Sequence, residues 1–306
     1  AQAPSARGQR GVAAHMPGFA NAAIFGIACA LAKKDALPFT KSLKATGYSG
    51  SIKLGVEDKT STAWGLDFLQ SSRIETDPSP CDDQLLIQAK KGARVKLTSL
   101  NQRRWVYYRK WLDEGSYDRV WLLDVRAVVF QAHPFAFASS AEVGLFMERS
   151  EPNGFQQQKL GRCLGRRTAQ QMHDARAPSI SAGLVAGSAQ GIRALCDSMI
   201  ALAEDAVARG SSCAVGDTYL LTYYAFNRTA SLAAGAPLDS GNANATVFER
   251  FQGPGLDLDS KRVCEELKGK KRRDARGLVT GSDGRPVALL HKWERCKETA
   301  RLVSKG

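Results

Sequence analysis

No stretch of this chain is long and apolar enough to cross a bilayer, which takes about 20 residues. The longest apolar run, Phe19 to Ala32, is broken by Asn21 and by small residues. It reads as a core helix, with Phe19, Ile24, Phe25, Ile27 and Leu31 at roughly helical spacing as far as Lys33. None of the seven cysteines (29, 81, 163, 196, 213, 264 and 296) forms a CxxC pair, which argues against a zinc site. Their odd number leaves at least one free thiol in a monomer. No GxGxxG follows a first strand, so the dinucleotide fingerprint is missing. Internal repeats and coiled-coil heptads are absent, and no signal peptide is visible, although a chain starting at Ala1 is compatible with prior processing.

What is present suffices for a full core: 306 residues, 43% hydrophobic, with ordinary charged and aromatic content. Lys and Arg outnumber Asp and Glu by 43 to 30, and the resulting +13 favours anionic partners such as nucleic acid, a nucleotide diphosphate or an acidic membrane face. Much of this charge falls in 261–276, around Lys268-Gly269-Lys270-Lys271-Arg272-Arg273. That segment reads as a solvated loop, or as a patch docking on a large complex or nucleic acid. No aromatic is interleaved with it, which counts against single-strand stacking. The sequons Asn227-Arg228-Thr229 and Asn244-Ala245-Thr246 suit a secreted protein or one of the Golgi and ER lumen; an organelle-imported soluble subunit is the alternative.

Residues 1–18 are expected to form a flexible arm and 19–306 one domain. Strand patterning covers Ser51–Val56, the run ending at Asp124, Val143–Glu148, Ser179–Ser188 and Val287–His291. Helical patterning covers Arg104–Glu114, Ala189–Ala208 and Tyr219–Phe226. In the first of these, Trp105, Tyr108, Trp111 and Leu112 share one face and Arg103, Arg109 and Lys110 the other. Asp58–Asp83 is expected to be irregular, and Leu232–Arg262 an extended loop with one short strand near Val247-Phe248. Arg162, Arg166 and Arg167 are expected in a loop able to close on a diphosphate. The alternation implies an α/β fold, with a mixed, mainly parallel sheet covered by helices on both faces.

The most informative segment is Tyr117-Asp118-Arg119-Val120-Trp121-Leu122-Leu123-Asp124-Val125-Arg126. A buried strand delivers Asp124 at its C-terminal end, the edge where open α/β sheets bind ligands. The plainer reading is a strand-end acid that pairs with Arg126 or caps the next turn.

In order along the chain, several segments resemble nucleotide-diphospho-sugar glycosyltransferases of the GT-A fold. They are Lys41-Ser42-Leu43, Thr46-Gly47-Tyr48, Leu54-Gly55-Val56, the Asp124 strand through Gln131 and Pro134-Phe135, Ser181-Ala182-Gly183 with Gly187-Ser188, Gly216-Asp217-Thr218, and His291-Lys292-Trp293-Glu294-Arg295. The most similar group reads Asp-x-Arg-Asp-Val-x-Phe-Gln-x-Asp-Pro-Phe at its metal strand. The resemblance implies a GT-A-like (Rossmann-like) sheet and transfer of a sugar from a nucleotide diphosphate donor to a glycan or protein acceptor. It also implies manganese or magnesium held against the donor diphosphate by Asp124 and His291. Asp124, Arg126, Gly183 and Arg295 would contact the donor, and Asp217 would face its sugar as base or hydroxyl anchor, though an N-cap role accounts for Asp217 as well. Ala127 and His133 stand where the group keeps acids. Arg126 could then supply charge to the diphosphate directly. The alternative is a catalytically inactive pseudoenzyme that serves as a structural or binding subunit.

Overall fold

The computed structural model describes residues 21–81, 85–88, 94–97, 99–136, 141–149, 154–208, 216–233, 245–248, 252, 254–258, 261–268, 272–296 and 299. The expected arm over 1–18 and the sequon asparagine Asn244 lie outside them. In chain order the first elements are β1 (Ala22–Ile27), α1 (Lys33–Ala45), β2 (Ser51–Gly55), α2 (Asp58–Trp64), α3 (Leu66–Ser71), β3 (Ile74–Asp77), β4 (Leu85–Gln88), β5 (Arg94–Leu97) and α4 (Leu100–Glu114). There follow β6 (Arg119–Asp124), β7 (Val128–Phe130), β8 (Val143–Arg149), α5 (Gly154–Leu164), α6 (Arg166–Asp174), β9 (Ser179–Ser188), α7 (Ala189–Ala208) and α8 (Asp217–Ala233). The last are β10 (Ala245–Phe248), β11 (Gly255–Asp257), α9 (Lys261–Leu267) and β12 (Leu289–His291).

Seven strands form one sheet in the order β10-β8-β9-β6-β1-β2-β3. Its neighbours pair in parallel except β9, which runs antiparallel to both β6 and β8. A smaller sheet, β11-β12-β7, sits over one face, and β4 and β5 pair by themselves. The sheet is apolar on both faces because the strands are covered on both, which is why β6 reads as a continuous hydrophobic run. Val120 and Leu122 join the core built with α4, α5, α7 and α8, whereas Trp121 and Leu123 join the core built with α1, α2 and β7. The expected α/β class with a mainly parallel sheet is therefore what the chain forms.

Several local expectations are corrected. Phe19–Lys33 is not a helix: its described part contains β1, and Ala23, Ile24 and Phe25 are fully buried. An apolar run buried on two faces has no polar stripe, so helical spacing arises in it by accident. Asp58–Asp83 holds α2, α3 and β3 rather than irregular chain, and β11 and the start of α9 lie within the presumed loop 232–262. Arg103 is 4% exposed instead of facing solvent. Arg162, Arg166 and Arg167 lie in the α5–α6 helical hairpin, not in a loop. Asn227 is exposed on α8.

Disulfides join Cys29, just past β1, to Cys81, just past β3, and Cys264 on α9 to Cys296. Cys163 is disulfide-bonded as well, and Cys196 is a buried free thiol.

At the end of β3, Asp77 accepts hydrogen bonds from Trp111 Nε1 at 2.8 Å and from the Ser79 backbone N–H at 2.9 Å, with Lys110 Nζ at 3.3 Å. Burial alone would raise its carboxyl, but these donors outweigh it and lower it from 3.8 to about 2. Because the folded pKa is depressed, the contribution to stability is complete above about pH 4 and is lost as pH falls towards 2. Asp77→Asn is expected to cost about 2 kcal/mol at neutral pH. In urea titrations the gap between native and variant should close between pH 5 and pH 2, and a gap independent of pH would overturn this account.

Candidate functional site

Chain direction explains why distant residues meet at one edge of the sheet. In a β–α–β crossover the helix runs antiparallel to the strands, so its first turns stand beside their C-terminal ends. Arg104, in the second turn of α4, thereby meets Asp124 at the end of β6. α7 returns to the same edge, where α8 begins with Asp217. The antiparallel pairing of β6 with β9 sets Leu123 opposite Leu184, leaving Gly183 beside Asp124. β7 follows Asp124 almost directly and pairs His291 of β12 opposite its Val128, while β11 sets Asp257 opposite His291.

The result is a charge cluster. Arg104, with a 7% exposed side chain, donates to Asp124 Oδ1 at 2.8 Å and to the Ala182 carbonyl at 2.7 Å, and it forms an ion pair with Asp217. Thus Asp124 pairs with Arg104, not with Arg126 as the plainer sequence reading had it. His291 is 1% exposed. Its Nδ1 lies 2.7 Å from Asp257 Oδ2 and 3.2 Å from Ser181 Oγ. Its Nε2 makes no hydrogen bond and faces Asp124 Oδ2 across 3.5 Å. Lys292, in the left-handed region at φ 56, donates its N–H to the Ala127 carbonyl at 2.7 Å. Its Nζ lies 2.6 Å from Glu148 and 3.5 Å from Asp257.

Electrostatics follow from these contacts. For His291, burial favours the neutral ring, yet Asp257 first and then Asp124 hold its pKa up to about 9. Burial would also raise Asp124, but the Arg104 guanidinium and then His291 keep it well below the usual carboxylate range. Burial pushes Asp217 up, with Arg104 opposing. Asp124 keeps 44% of its side-chain surface open against 5% for Asp217, so Asp124 is the carboxylate a ligand can reach.

Gly183 completes the geometry. A Cβ there would lie 2.4 Å from Asp124 Oδ2 and 2.5 Å from His291 Nε2. The glycine keeps open a notch between the two groups.

Of the residues singled out in the sequence, Asp124, Gly183, Asp217 and His291 come together. Arg126 does not join them: its side chain is 72% exposed and lies 3.6 Å from Asp35. Arg295 and Glu294 are exposed on the turn after β12. His133 packs edge-on against Tyr48 instead. Arg104, Asp257, Lys292 and Glu148 were not picked out as site residues. Arg104 had a legible signal, for it falls with Tyr108 and Trp111 on the i, i+4, i+7 stripe of α4, where a charge needs a partner. Asp257 had less, a lone acid between Leu256 and Leu258 in presumed loop. Among the described residues no set of three or more His, Cys, Asp or Glu side chains gathers as a metal site. Asp124 and His291 offer two donors.

Arg104→Ala would strand Asp217 in the interior, and breaking a buried pair in this way costs about 3–5 kcal/mol. Urea unfolding should show that loss; a change below 1 kcal/mol, by order of magnitude, would contradict the pairing. Gly183→Ala forces Asp124 and His291 apart and should cost about 1–3 kcal/mol in the same measurement.

No family model matches the chain, and no curated protein matches it in sequence. Among solved structures it is similar to the galactosyltransferase LgtC in complex with donor and acceptor sugar analogs, with 12% identity and a TM-score of 0.50. The match covers 92% of this chain and 95% of that one. At this identity the likeness speaks to architecture, and the chain has a GT-A-like, glycosyltransferase-like fold.

Proposed function

We propose that the chain is a glycosyltransferase that moves a sugar from a nucleotide diphosphate donor to a glycan or protein acceptor. The observation that carries this reading is the notch over Gly183, where the open carboxylate of Asp124 faces His291 Nε2 at the C-terminal edge of the sheet. That is the edge at which open α/β sheets bind ligands. A fold shared with a galactosyltransferase that takes donor and acceptor sugar analogs supports the same reading.

The residues fit a hard divalent cation, manganese or magnesium. The buried Nε2 of His291 lacks a hydrogen bond, Asp257 orients the ring from Nδ1, and Gly183 leaves room beside Asp124. Among the described residues Asp124 and His291 are the two side chains that would hold the ion, and such ions take few protein ligands at phosphate sites. When bound, the ion would neutralise charge on the departing diphosphate. His291 must then be neutral at Nε2. Arg104 adds fixed positive charge behind Asp124, and Asp217 acts by holding Arg104 there. Arg126 and Arg295, exposed outside the cluster, are the cations we assign to the diphosphate. The disulfides favour an oxidising compartment, the secretory lumen or outside the cell.

A nucleotide-binding subunit without catalysis is the second reading. It is favoured by Arg104 holding one oxygen of Asp124 and by Ala127 standing where the glycosyltransferases that the chain resembles keep an acid.

Thermal unfolding with UDP or GDP, with and without manganese, tests the proposal. At 100 times its dissociation constant a ligand should stabilise the fold by about 2.7 kcal/mol. We expect stabilisation by one nucleotide only when manganese is present, and its loss in Asp124→Ala. No shift with either nucleotide under any condition would sink the transferase reading. A shift that ignores both manganese and Asp124→Ala would favour the non-catalytic one.

A further inference from the structure

The α5–α6 hairpin connects β8 to β9 at the edge of the sheet that carries Asp124. Leu160, Cys163 and Leu164 anchor α5 in the core that also receives Leu220, Leu221 and Tyr224 of α8. Cys163 Sγ lies against Gly216, 3.3 Å from where a Cβ would stand, and Gly216 immediately precedes Asp217. The hairpin therefore packs beside the start of α8, at the edge of the sheet that carries the charge cluster.

Its outer side holds an open cavity of about 640 Å³, lined by Gln157, Gln158, Gly161, Arg162, Arg166 and Gln170 along with Ala169. That volume lies within the roughly 300–1,000 Å³ typical of ligand sites. Arg162 and Arg166 are exposed, and among the described residues neither guanidinium has an ion-pair partner. The glutamines offer neutral amides that donate to and accept from hydroxyl groups. Among the described residues that line the cavity there is no aromatic ring on which a nucleobase or the flat face of a neutral sugar could stack. The attraction these residues offer comes from the two guanidiniums, whose fork geometry matches carboxylates.

We infer that this groove is the acceptor subsite, and that the acceptor is an acidic saccharide, with carboxylates on Arg162 and Arg166 and hydroxyls on Gln157, Gln158 and Gln170. The word acceptor rests on the transferase reading above; the binding chemistry of the groove does not. The net charge of +13 would speed encounter with such a chain.

The test uses the full chain with tetragalacturonic acid as the acidic probe and maltotetraose as the neutral one, titrated calorimetrically with and without UDP and manganese. We expect the acidic probe to bind, to weaken with added salt, and to lose at least tenfold in affinity in the double variant Arg162→Gln/Arg166→Gln. The same variant should retain the native melting temperature and UDP response. Arg276→Gln, which removes an exposed arginine that does not line the groove, should bind the probe as the native chain does. The inference is overturned if the neutral probe binds equally well, if the double variant keeps full affinity, or if the acidic probe does not bind. Loss of the UDP response in the double variant would assign the arginines to the donor diphosphate and overturn it as well. Probe binding without any nucleotide response would remove the transferase reading and leave the groove as a saccharide site; nucleotide response without probe binding would do the reverse.

Discussion

The ion pairs of Arg104 are the constraint on which the rest of the site depends. A guanidinium with a 7% exposed side chain stands between Asp124 and Asp217, and each carboxylate belongs to a different element. Remove the cation and α8 would bring an unpaired acid into the interior next to another acid. Retain it, and β6, β9 and α8 are held at one point, because Arg104 also donates to the Ala182 carbonyl of β9. The open oxygen of Asp124 can face the cleft because its other oxygen is already satisfied. A pair that is costly to desolvate thereby fixes geometry more than it adds stability.

A second network, independent of Arg104, sets the opposite wall of the notch. Asp257 takes the Nδ1 side of His291, and Lys292, folded back by its left-handed backbone, neutralises Asp257 and Glu148 from behind. The two networks face each other across the 3.5 Å between Asp124 and His291. Both arise from ordinary topology: one antiparallel strand in a parallel sheet, and a small sheet laid over its edge.

Much of this was legible in the residues. β6, β9 and α7 follow the strand and helix patterns of the chain closely, and Asp124 could be nominated from its place at a strand end, whereas Gly183, Asp217 and His291 were nominated by the resemblance to GT-A transferases. What could not be read is pairing. Nothing local in Asp124-Val125-Arg126 says that its arginine points away to Asp35 while another, 20 residues earlier, takes the carboxylate. β1 misled because two-sided burial erases the polar stripe that separates strand from helix. Asp257 hid in a segment whose only signal was a three-residue strand, and Arg162 and Arg166, singled out in the sequence, were read as loop because their helical hairpin is so polar.

The place of β12 has a consequence for how the molecule is made. β7 leaves β6 early in the chain, but its partner strand, bearing His291, is synthesised more than 150 residues later. Until then β7 presents an unpaired edge, and Asp124 faces an incomplete wall. Such an edge is a template for pairing with other chains. The cleft therefore cannot close until β12 has left the ribosome, and a chain cut short before β12 would lack the strand that finishes the site.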